Sequence, residues 1–150
     1  DDPAFEKVES LFSDMYDHMS GSGLNIDLAV DGAATWLKGV VQGLGRFGTL
    51  QVACINEEII GFAHGSIRLT PDYLGNRKVG VITHIYVDAE YRGEGVGEKL
   101  VKELEKWFKA KEVHSVELQV LAGNRTGIAF WEKLGYPLEL NQHRKDGEKM

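Results

Sequence analysis

Residues 79–100 read "VGVITHIYVDAEYRGEGVGEKL". An apolar run, 79–87, leads into a glycine-punctuated turn and then into helix formers. A run this apolar fits a central strand covered on both faces. Val96, Leu100, Val101, Leu104, Trp107 and Phe108 recur at helical spacing and predict a helix from about Gly95 to Lys109. "SVELQVL" at 115–121 is the next strand. Two strands joined through a helix should lie parallel, with a right-handed crossover.

Working outward, "TLQVACI" (49–55), the turn "NEE" and "IIGFAHGSI" (59–67) predict a hairpin, and 70–78 a loop before the central strand. Upstream, Asp2-Pro3 starts a helix that carries Phe5, Val8, Leu11, Phe12, Met15 and Met19 on one face. "SGSG" at 20–23 ends it. Asp31 is placed to cap a second helix with Ala33, Trp36, Leu37, Val40, Val41 and Leu44 inward. Downstream, 122–135 reads as a loop and a short helix, 136–143 as a further strand, and the remainder as a charged tail. The sum is one α/β domain over 1–150: a single mixed, mostly antiparallel sheet flanked by helices.

Composition narrows the function. The 150 residues carry 17 basic and 23 acidic side chains, a formal net charge of −6. That field disfavours nonspecific binding to nucleic acid or anionic lipid and mildly favours a cationic partner. No run reaches the roughly 20 apolar residues of a membrane helix. The start, "DDPAFEKVES", lacks the parts of a signal peptide. The lone Cys54, in an apolar strand, is expected to be a small buried filler, in keeping with a reducing, cytoplasmic setting. The histidines show no metal-ligand spacing, so no metal is expected.

The turn at 92–97 admits two readings. Gly93, Gly95 and Gly97 remove three Cβ atoms, allowing positive φ and close approach to the main chain. The helix start supplies unpaired amides suited to a phosphate, and Arg92 a charged fork beside it. Alternatively the glycines serve turn geometry alone. A nucleotide P-loop is excluded because no Gly-Lys-Ser/Thr follows, and a dinucleotide motif because position 98 is Glu98.

"VDAEYRGEGVGEKLVKELEKW" resembles the central signature of the GCN5-related N-acetyltransferases, through Arg92, Gly95 and Gly97. "NRTGIAFWEKLGY" is similar to that family's second block, an asparagine-to-aromatic helix. The resemblance implies acetyl transfer from acetyl-coenzyme A (acetyl-CoA) to a primary amine of a small molecule or protein, directly within a ternary complex. It implies a pyrophosphate on the amides of Arg92, Gly93, Glu94, Gly95, Val96 and Gly97, and a pantetheine arm beside Ile85, Tyr86 and Val87, admitted by a split between the parallel strands. Asn124 matches the family's asparagine, as a pantetheine contact or a helix N-cap. Family members usually begin with a strand before the first helix; this sequence opens at that helix, "DDPAF", so the first strand is expected to be missing, disordered or truncated. A sheet edge left bare there would invite a homodimer.

Two departures bear on the chemistry. Where many relatives carry a glutamate base this chain has Val81 or Thr83; His84 is the nearest ionisable group, as base or as a packed side chain. Alternation puts Thr83 and His84 on opposite faces. The usual acid tyrosine is Trp131, whose indole cannot give up a proton at useful pH. Trp131 could instead pack against the thiol end of pantetheine or in the core. Tyr136 and Tyr86 are the substitutes, Tyr136 equally a core aromatic. The acceptor site is expected from Met19, Asn25, Asp27, Asp31, Asp72 and Tyr73. Two other readings stand beside the enzyme: a coenzyme A binding module with weak chemistry, and an interaction domain without a cofactor.

Overall fold

The computed structural model describes residues 2–150. Helices α1 (Pro3–Met19) and α2 (Gly32–Gly43) precede strands β1 (Gly48–Ile55), β2 (Glu58–Leu69) and β3 (Lys78–Val87). Helix α3 (Val96–Ala110), strand β4 (Ser115–Leu118) and helix α4 (Arg125–Lys133) follow. The sheet runs β1-β2-β3-β4, antiparallel except for the parallel pair β3–β4.

Helices cover both faces. Val8, Leu11, Phe12 and Met15 of α1 and Ala33 and Leu37 of α2 pack on Ile59 and Phe62. On the other face Leu100, Val101, Leu104 and Phe108 of α3 and Trp131 of α4 pack on Ala63 and Ile82. Phe62 and Ala63, adjacent in β2, serve opposite clusters, as strand alternation requires. Phe108 sits deep because two strands offer it glycine. A Cβ on Gly65 would lie 2.7 Å from its ring, and one on Gly80 2.6 Å. Asp2 caps α1 by accepting from the Ala4 amide at 2.9 Å.

The elements match the expected order, with differences at their ends. β4 stops at Leu118 instead of running to 121, because β3 pairs with it only from Val79 to Ile82. Residues 136–143 form no strand; past Tyr136 they are exposed, and none of them joins a ladder among the described residues. Leu138 and Leu140 alternate as a strand would, but alternation without a neighbouring ladder does not make one. Cys54 is exposed, contrary to expectation, since a register shift between Ala53 and Cys54 interrupts the end of edge strand β1. Asp31 holds the N-cap position of α2 with no side-chain cap bond. Val41 and Leu44 are likewise exposed, not inward.

Candidate active site

The central strand contains one extra residue. His64 pairs with His84 and Gly65 with Ile82, so Thr83 is a β-bulge. The bulge shifts the phase of the strand. Gly80 and Ile82 face α3, and beyond the bulge Ile85 and Val87 do so. Thr83 and His84 therefore share the face toward α1 and α2, which corrects the expected opposition. Thr83 Oγ1 lies 2.5 Å from His64 Nδ1 and 3.0 Å from His84 Nδ1, and its hydroxyl reaches the His64 carbonyl at 3.2 Å.

Aromatic rings hold the cluster. Phe12 meets His84 edge-on at 5.0 Å between centroids, Trp36 at 5.4 Å, and Tyr16 stands 6.4 Å away. Trp36 also meets His64 at 6.0 Å. Burial pushes both imidazoles down to about 4, with the neighbouring His64 adding to the effect on His84. Both rings are therefore neutral at pH 7.

The same strand ends in an open edge. Beyond Ile82 no strand among the described residues lies beside β3 on the β4 side. Asp88 donates to the Ile60 carbonyl at 2.8 Å, so antiparallel alternation directs Tyr86 and His84 toward β2 and turns the backbone groups of Ile85 and Val87 outward. Arg92 Nε takes the Val87 carbonyl at 2.9 Å, and its guanidinium lies 5.0 Å from the centre of the Tyr86 ring. The remaining outward groups have no ladder partner among the described residues.

The open edge leads to the glycine turn. Gly93 (φ 83°) and Gly95 (φ 80°) are left-handed, and a Cβ on either would meet only open space. They are there for backbone conformation. Gly97 has a different reason: a Cβ there would come 3.3 Å from Phe130 of α4. Gly95 caps α3 without a side-chain bond, and the first helical bond is Lys99 N–H to the Gly95 carbonyl at 3.1 Å. The amides of 93–98 consequently have no acceptor among the described residues. Unpaired amides at an unobstructed turn, next to an unpaired strand edge, fit a chain that begins in a diphosphate and continues as amides.

Trp131 and Tyr136 lie on the far face. Trp131 is buried in the α3–α4 cluster, edge-on to Phe130 at 5.0 Å and to Tyr136 at 5.4 Å. Tyr136 donates its hydroxyl to Glu105 Oε2 at 2.6 Å. Burial, the bond to Glu105 and that carboxylate's charge push the phenol well above its ordinary value. Asn124 accepts from the Gly127 amide at 2.9 Å and so caps α4; a Cβ on Gly127 would collide with that side chain. Gly123 packs against the Ser22 carbonyl, which a Cβ would approach to 2.7 Å, so the loop before α4 touches the turn after α1.

A cavity of about 230 Å³ opens behind Tyr16, lined also by Ser13, Asp17, Ser20, Leu24 and Asp27. Of the acceptor candidates only Asp27 lines it. A groove of about 470 Å³ between α1 and α2 contains none of these groups. Sequence reasoning missed His64 and Thr83. The available signal was Gly65, an isolated glycine inside a strand pattern, which is a mark of a bulge.

Comparison with known proteins agrees with this geometry. Residues 25–136 match the model of the Acetyltransferase (GNAT) family. The chain is 34% identical over 89 residues to glucosamine 6-phosphate N-acetyltransferase of Trypanosoma brucei brucei, across 59% of this chain and 57% of that protein. It spans only about half the length of the curated relatives it matches. Among solved structures, a Trypanosoma brucei acetyltransferase superposes with a TM-score of 0.63 at 26% identity, over 92% of this chain and 94% of that one. Aminoglycoside N-acetyltransferase AAC(6')-Iy, in complex with CoA, gives 0.74 at 18% identity over 94% and 88%. With the family model covering most of the residues that build the split sheet and the glycine turn, this chain belongs to the GNAT acetyltransferase family.

Proposed function

We propose that the protein transfers an acetyl group from acetyl-CoA to a primary amine. The observation that carries this reading is the free edge of β3 past Ile82, running directly into the unpaired amides at the start of α3. The pyrophosphate rests on the amides of 92–97, with Arg92 swinging from Val87 to meet it. The pantetheine amides pair with Ile85 and Val87 as an added strand would. Asn124 Nδ2, its oxygen occupied by the α4 cap, is the group left to face the arm.

His84 is the base in this reading. It is neutral at pH 7 and shares its face of the sheet with Tyr16, a wall of the small cavity. Asp17 and Asp27 in that cavity favour an ammonium-bearing acceptor, which must lose a proton before it attacks. The transferases named above act on amino sugars and aminoglycosides, and such amines are the first to screen. The leaving thiolate needs little help, since a thiol pKa of about 8–9 makes it a tolerable leaving group. Trp131 and Tyr136, packed together on the α3 face, support the fold rather than supply that proton.

Thiol release from acetyl-CoA across a panel of amines, with calorimetry of acetyl-CoA alone, tests the proposal. Binding with amine-dependent release supports it. Binding without release supports a coenzyme A binding module, a reading favoured by the commitment of the Tyr136 hydroxyl to Glu105. Absence of binding overturns both.

A further inference from the structure

We infer that Thr83 is a positioning residue that fixes the tautomers of His64 and His84, leaving Nε2 of His84 bare. The catalytic consequence rests on the transferase reading above; the tautomers themselves do not.

Three partners surround one hydroxyl: the His64 carbonyl at 3.2 Å, His64 Nδ1 at 2.5 Å and His84 Nδ1 at 3.0 Å. A hydroxyl has one proton and two lone pairs. The carbonyl can only accept, so the proton goes to it. The lone pairs must then take the two remaining contacts, and each imidazole donates from Nδ1. A neutral imidazole has a single N–H, so Nε2 of both rings is unprotonated. Any other assignment leaves the threonine oxygen facing the carbonyl oxygen at 3.2 Å with no proton between them.

The arrangement depends on the bulge. Without the extra residue Thr83 and His84 would alternate onto opposite faces, and one hydroxyl could not meet both rings. Burial supports the assignment by keeping both rings uncharged near pH 7. Phe12 and Trp36, edge-on to His84, restrict rotation of its ring about the bond that Thr83 anchors.

In the transfer step the amine nitrogen bonds to the acetyl carbon as the C–S bond breaks, and the sulfur leaves as thiolate. The amine proton passes to His84 Nε2. The imidazolium so formed keeps its Nδ1–H on Thr83 and later gives the Nε2 proton to the thiolate or to solvent. With the opposite tautomer Nε2 would already carry hydrogen and could accept nothing.

The test is ¹⁵N NMR of the histidine ring nitrogens in the unliganded protein at pH 7, combined with kinetics. His64 and His84 should both report Nδ1–H, although free histidine in water favours Nε2–H. Thr83→Val should return His84 toward Nε2–H. It should lower kcat about tenfold to a hundredfold, part of what a general base contributes, with KM for acetyl-CoA within about twofold. Thr83→Ser should restore both. Nε2–H at His84 in the unaltered protein, or unchanged tautomers in Thr83→Val, overturns the inference. Should Thr83→Val fail to fold, the spectrum of the unaltered protein and of Thr83→Ser decides. Nδ1–H at both rings with no acetyl transfer to any amine upholds the role of Thr83 and removes the transferase reading.

Discussion

Tyr136 and Glu105 are joined by a 2.6 Å hydrogen bond that ties the segment after α4 to the middle of α3. The phenol proton is committed to a carboxylate and held there by burial. Tyr136→Phe should therefore cost stability and spare chemistry. A charge-assisted bond at a partly exposed site contributes about 1 kcal/mol. We expect a lower melting temperature and kcat within about threefold of the unaltered protein. A loss of kcat beyond a hundredfold with the melt unchanged would make Tyr136 the acid.

Gly95 tests the anion site. Its φ of 80° strains any other residue, although a Cβ would find open space. Gly95→Val should remain folded while losing about 1–2 kcal/mol of stability. The branched side chain would also cover the α3 amides, so calorimetric affinity for acetyl-CoA should fall at least about tenfold. Unchanged affinity would move the pyrophosphate elsewhere.

Gly80 tests the packing of the central strand. A methyl there would press 2.6 Å from the Phe108 ring, in a core that leaves the ring no retreat. Gly80→Ala should cost about 1–3 kcal/mol in denaturant unfolding. Combining it with Phe108→Leu should cost less than the sum of the two, because the smaller side chain frees the space. Strict additivity would disprove the contact.

His64 and His84 predict acid sensitivity. Their folded values lie near 4, against 6.5 for an unperturbed imidazole. Below 6.5 the unfolded chain takes up protons that the native state refuses. Their contribution to stability is thus complete above about pH 6.5 and is lost as pH falls toward 4. Melting temperatures between pH 7.5 and 4.5 should decline, and the decline should flatten in the His64→Gln, His84→Gln double variant. The same depression places any acid limb of kcat/KM due to His84 near pH 4; a limb near 6.5 that His84→Ala removes would contradict the burial of the ring.

Much of this was legible in the sequence. Apolar periodicity gave four helices and the hairpin, because one buried face imposes its period on the chain. The glycines at 93 and 95 announced left-handed backbone, since glycine adopts it with no Cβ penalty. Strand-helix-strand order implied the parallel pair, and the open edge beside Ile85 and Val87 was expected from the family resemblance.

What remained was decided between elements far apart in sequence. Gly97 looked like its neighbours yet answers to Phe130, on another helix. The Leu138–Leu140 alternation found no ladder to join, and Cys54 surfaced where β1 loses register. The bulge at Thr83 matters most. Pairing register belongs to two strands at once, and a single extra residue brought Thr83 and His84 together onto the face that His64 occupies. Side-chain identity came from the sequence; their meeting came from a hydrogen-bond ladder that only the folded sheet possesses.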